Sequence, residues 1–330
     1  MDLRDATKNQ HFVPQVEQRL NAINPQARNE NQKIHSFSLK DRDAGIVSID
    51  SEKGVKILKN LSLNDLFSFD VLGKESSKYN FEKLFHSYEL TIKSSTESLL
   101  SKLDSPKADI KPEIINIFRL KILNFVRNPY SIKKILATFF VFKDIFPTDY
   151  IHYENFNRVL NGSKPQKKYL CKQLDITEDE YKEWLATIFL LLTPMKEGQL
   201  NFLDKFIKRI YENLNLFTQI HIYTYDDETC LLSDRGYNEY EINGGDMVWE
   251  FNLCSHGFIR YAFVNIDAFI PENISKEIVD FYKSKPKSIS IMKMHNDLTQ
   301  LKYYNQRTVE LCHEHVFGSR KEYKGVTISS

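Results

Sequence analysis

The 330-residue chain is poor in glycine, with 11, and in cysteine, with four. Cys171, Cys230, Cys254 and Cys312 stand far apart and form no CxxC pair. That spacing argues against a disulfide framework or a zinc knuckle, and for free thiols in a reducing compartment. Charge of one sign is lacking too. A formal net charge of +1 supplies no dense basic surface of the kind that draws nucleic acid without specificity. The short basic runs KPQKK (164–168) and RKEYK (320–324) read as solvated surface. The longest apolar run, Leu185 to Met195, contains Pro194 and is too short to span a bilayer. The first residues, MDLRDATKNQ, hold no apolar signal region, so a cytoplasmic location without a membrane is expected. Finally, there is no GxGxxG, P-loop, HExxH or GxSxG motif.

What is present is aromatic: 23 Phe and 17 Tyr, within a composition that is 42% hydrophobic and 27% charged. Such a chain can bury a substantial core. IHSFSL (34–39) and IVSID (46–50), joined by KDRDAG, read as a β-hairpin. Ser62 could cap a short helix through SLNDLF. From about residue 78 apolar residues recur at helical spacing, and a helical middle extends to about residue 217. Within it Pro112 suits the first turn of a helix ending near Asn128-Pro129, and Thr177 with Glu180 forms a capping box. QIHIYTY (219–225), DMVWEFNL (246–253) and FIRYAFVNI (258–266) read as strands, followed by helices over 275–283 and 292–317. The order predicts an α+β protein: an N-terminal hairpin and C-terminal antiparallel strands around a helical middle. No linker or repeat interrupts it, so a single intertwined domain over 1–330 is expected.

The candidate chemistry is dispersed. Glu82, His86 and Glu89 fall at i, i+4 and i+7 and share one helix face, where they could ligate a metal, divide acid and base roles, or simply be solvated. Ser233-Asp234 follows a strand and could present groups to a cleft or organise a turn. Asn305 sits within a helical pattern, where a core hydrogen bond is the first reading. In CHEH (312–315) a helical His-x-His points its rings apart, so one metal cannot easily take both. His11 lies beside Phe12, Val13 and Pro14 near the N-terminus. A satisfied packed histidine is the default there, with a general base or metal ligand as the sharper alternative.

Taken in order, these pieces resemble a bacterial family described only as the domain of unknown function numbered 4238. Gln10-His11-Phe12-Val13-Pro14 matches its opening stretch, Glu82 and Glu89 its glutamate helix, and Arg127-Asn128-Pro129 its Arg-x-Pro-like segment. Ser233-Asp234 matches a strand end, with Gly236 where proline is usual. Leu253 and Ser255 echo a later strand whose proline is Asn252 here. Asn305 matches the last helix. The resemblance implies a shared polar site and an association with bacterial defence and toxin effectors. The resulting expectation is a hydrolase, foremost a nuclease, with His11, Glu82, Glu89, Asp234 and Asn305 converging on one cleft. Glu82 and Asp234 would hold Mg or Mn, the substrate would be RNA or DNA, and a partner protein from the same operon could take part. The competing expectation is a non-catalytic sensor or protein-interaction module.

Overall fold

The computed structural model describes residues 2–71, 78–105, 107–242, 246–268, 273–285 and 288–329. The architecture is α+β. The chain clusters into two compact units, Met1–Val16 with Lys59–Phe206, and Glu17–Leu58 with Ile207–Ser330. Each is built from two separated stretches of sequence.

The first unit is mainly helical. Its N-terminal strand, Asn9–His11, pairs antiparallel with Ser62–Asn64, placing His11 opposite Ser62. The expected Ser62-capped helix is therefore a strand, because the ladder to the N-terminal segment claims those residues. Asp65 then turns the chain with a φ of 56°. This pairing also ties down a terminus that would otherwise fray, and Phe12 and Val13 behind it are fully buried. Phe12 meets Tyr130 edge-on at 5.4 Å between ring centroids. The helical pattern after residue 78 is broken into Glu82–Glu89 and Ile92–Lys102. Lys111–Arg127 follows, with Pro112 in its first turn. It stops where Asn128 goes extended ahead of Pro129 and accepts a hydrogen bond from the Tyr130 amide, as the restriction before proline demands. The capping box at Thr177 and Glu180 is formed and starts Glu178–Leu192. Trp184 of that helix is buried and donates to the Val126 carbonyl at 2.9 Å. It also packs on Phe67, which meets Phe85 at 4.8 Å.

The second unit holds two sheets. One runs Asn238–Glu241, Met247–Cys254, Gly257–Asn265, Leu216–Thr224, Ser290–His295 in spatial order; its last strand is parallel and the others antiparallel. The other runs Thr327–Ser329, Ile46–Ile49, Lys33–Asp41, His315–Gly318, Leu232–Ser233, with Val55–Lys56 also on Lys33–Asp41. It contains the expected hairpin. The single helix expected over 292–317 is three elements instead: the strand Ser290–His295, the helix Leu298–Leu311 and the strand His315–Gly318. Asn296, with a φ of 55°, makes the turn, and the Asp297 side chain caps the helix by accepting from the Gln300 amide at 3.1 Å. CHEH consequently leaves the helix, with Cys312 at its C-cap and His315 in a strand.

Candidate functional site

Of the sequence-predicted residues, the first unit brings Glu82 and Glu89 together around a group not singled out for chemistry, Arg127. The i, i+7 spacing puts both carboxyls on one side of Glu82–Glu89, while His86 between them is exposed. Arg127 closes the helix Lys111–Arg127, where a cation suits the C-terminal dipole. Unusually for an arginine it is almost wholly buried, with 1% of its side chain exposed. Its Nη1 donates to Glu89 Oε1 at 2.6 Å, and its guanidinium lies 5.0 Å over the Phe85 ring. Its Nε and Nη2 are buried and find no hydrogen-bond partner; neither does Glu82 Oε1.

These loose ends have an electrostatic consequence. Burial pushes the Glu82 carboxyl up to about 7, with Arg127 pulling it down and the nearby Glu89 and Asp5 adding to the rise. The one guanidinium is bonded by Glu89 and acts on Glu82 only through its field. Glu82 is left in a poorly solvated place with an unsatisfied oxygen, the setting that raises a carboxyl. Its main-chain amide is anchored on the Asn80 side chain at 3.0 Å, and Asn80 donates to the Asp5 carbonyl at 3.0 Å. The helix start is fixed while the carboxyl is not. Glu89 remains 28% exposed, whereas the unpartnered atoms of Arg127 and Glu82 are buried.

His11, in the same unit, is placed differently. Its Nδ1 sits 2.9 Å from the Asn60 carbonyl and its Nε2 2.9 Å from the Gln15 side-chain amide. A carbonyl can only accept and an amide nitrogen only donates. With that pairing Nδ1 faces an acceptor and Nε2 faces a donor. His11 fastens the Asn9–His11 strand to its surroundings.

Asp234 and Asn305 belong to the second unit, and both are committed to main chain. Asp234 is 2% exposed. Oδ1 accepts from the His313 amide at 2.7 Å, and Oδ2 from those of Glu314 and His315 at 2.7 and 2.8 Å. The carboxylate thus clasps the connection between Leu298–Leu311 and His315–Gly318. Asn305, fully buried, accepts from the Leu231 amide at 3.0 Å and donates to the Thr229 and Lys324 carbonyls at 3.3 Å each. These contacts are of the kind that the turn and core readings of the two residues describe.

The donor set expected for Mg or Mn does not fit a divalent cation. The Asp234 oxygens already carry three amides, and the strongest neighbour of Glu82 is itself a cation, Arg127. Hard divalent ions need several free oxygens. Among the described residues no group of three or more His, Cys, Asp or Glu could hold a metal ion, and no helix is long and apolar enough to cross a membrane. Compared with protein-family models, curated proteins and solved structures, the chain finds no match.

Proposed function

We propose that the chain is a cytoplasmic acid–base hydrolase of phosphodiesters, a nuclease of the bacterial defence or toxin kind, with Glu82 and Arg127 as its reactive pair. One observation carries this reading. Glu82, held near neutrality by burial, lies beside a buried guanidinium with two nitrogens unengaged. A group that titrates near the working pH is the most effective proton carrier. A guanidinium with free donors in a poorly solvated place is suited to the charge that builds on a phosphate in the transition state.

RNA suits this pair better than DNA, because its 2′-hydroxyl is a nucleophile supplied by the substrate. Ionised Glu82 would take the 2′-hydroxyl proton as the 2′-oxygen bonds to phosphorus. Arg127 would steady the equatorial oxygens, the bond to the 5′-oxygen would break, that oxygen would take a proton from solvent, and water would then open the 2′,3′-cyclic phosphate that is left. Glu89 orients Arg127, and His11 keeps a positioning role. The test is cleavage of labelled RNA by the purified chain, with and without Mg or Mn. Glu82→Gln should lower the rate by about 100-fold or more in a protein whose circular dichroism is unchanged. Equal cleavage by the variant, or none by the parent, removes the proposal.

A second reading, a protein-interaction module, is favoured by a different feature of the first unit. A groove of about 420 Å³ is lined by Phe139, Phe140, Phe142, Phe146 and Phe156, and Phe140, Val141, Phe146 and Tyr150 each stand more than half exposed beside it. Apolar surface of this kind marks binding faces. An operon partner that binds parent and Glu82→Gln equally, but not Phe140→Ser, would support that reading.

A further inference from the structure

The sheet that begins with Asn238–Glu241 carries a second charge cluster, and its stoichiometry is the reverse of the first. Register places His221, Arg260 and Glu250 side by side on adjacent strands, hence on one face. Glu250 is completely buried. Arg260 Nε donates to its Oε1 at 2.8 Å. From the helix Leu298–Leu311, Arg307 donates Nη2 to Oε1 at 2.8 Å and Nε to Oε2 at 3.0 Å. One guanidinium would neutralise this carboxylate. Two leave a positive charge fixed in place.

Two polar groups here are left without partners. Arg307 is 22% exposed and its Nη1 engages no partner among the described residues. Arg260 is committed, with Nη1 donating to the Tyr223 hydroxyl at 3.0 Å and Nη2 to Gln300 Oε1 at 2.8 Å. That hydroxyl also lies 3.3 Å from His221 Nδ1. His221 Nε2 is buried and unpartnered. Beside this row the edge strand presents Met292 opposite His221 and Met294 opposite Tyr223, 41% and 37% exposed.

We infer that Arg307 and His221, with Arg260 behind them as fixed positive charge, form a binding site for the phosphate group of a small phosphate monoester, with Met292 and Met294 offering an apolar shelf to its organic part. Fork-shaped arginines held on a common carboxylate are pre-organised for a phosphate, and a dianionic monoester offers the several acceptors that the row lacks. The site lies wholly within the second unit and stands apart from the Glu82 reading.

The experiment is calorimetric titration of the full chain with inorganic phosphate, adenosine monophosphate and adenosine, alongside ¹⁵N spectra of the histidine rings. Phosphate and the monophosphate should bind, the monophosphate more tightly, adenosine should not, and the His221 Nε2 resonance should shift. Arg307→Gln should weaken phosphate binding by about tenfold or more and still fold, because Arg260 keeps Glu250 paired. Should it fail to fold, Arg307→Lys keeps the charge but not the fork, and is expected to show the same loss. No phosphate binding, binding unchanged in the arginine variants, or adenosine binding as well as its monophosphate would overturn the site.

Discussion

The two buried clusters set the same residue types in opposite proportion. In the first unit two carboxyls lie in the field of Arg127, which bonds only Glu89. In the second two arginines share Glu250. Where acid is in excess, one carboxyl cannot be fully stabilised as an anion, and Glu82 keeps its proton to about 7. Where base is in excess, the acid is saturated and the surplus charge sits on arginine, which does not release protons at any working pH. The first arrangement is fitted to move a proton and the second to hold an anion. Burial is the larger cause of the rise at Glu82 and the neighbouring acids add to it; the ratio of charges sets which kind of group is left over.

The comparison is broken most severely at Glu250. Glu250→Ala leaves two guanidiniums facing one another in a dry place and should cost about 3–5 kcal/mol, read by urea unfolding. A loss under ~1 kcal/mol would mean that the pair is not neutralised by this carboxylate. Asp234→Ala comes next, expected at about 2–4 kcal/mol because three main-chain amides lose a charged acceptor together. Glu82→Gln should act in the other direction. The folded carboxyl titrates above its ordinary value of 4.5, so the native state binds the extra proton between the two. Stability of the parent then falls as pH rises through that window and is flat above about 7. At about 1.4 kcal/mol per unit, tempered by residual solvent access, the deficit is about 2–3 kcal/mol. The amide variant should lack it, so that its melting temperature matches the parent near pH 4.5 and exceeds it at pH 8. The smallest effect is at His11: His11→Ala removes two neutral hydrogen bonds and should cost about 1–2 kcal/mol, leaving the pH profile of any activity where it was.

Much of the fold could be read along the chain because local signals are strong where they exist. Thr177 with Glu180, Pro112 and the alternation of Met247–Cys254 each act within a few residues. The failures are non-local. Ser62–Asn64 is a strand only because Asn9–His11 pairs with it. SIMKMH, equally compatible with helix or strand, is fixed by parallel pairing to Leu216–Thr224, some 70 residues away. The candidate site divides the same way. The shared face of Glu82 and Glu89 follows from spacing, and a carboxylate or amide at a strand end or in a helix interior is apt to bond main chain, as Asp234 and Asn305 do. The burial of Arg127 follows from no local pattern, since an arginine closing a helix ordinarily lies at the surface. Its place directly before Asn128-Pro129 was the one available signal. Arg260 and Arg307, 47 residues apart by number, meet at Glu250 only through the sheet and the helix laid over it.

The claim that burial, with acidic neighbours adding to it, keeps a proton on Glu82 is tested most directly by following its side-chain carboxyl carbon by ¹³C NMR across about pH 3 to 9, assigned with Glu82→Gln. A midpoint near 7 is the predicted result. A midpoint at the ordinary carboxyl value, near 4.5, would contradict it.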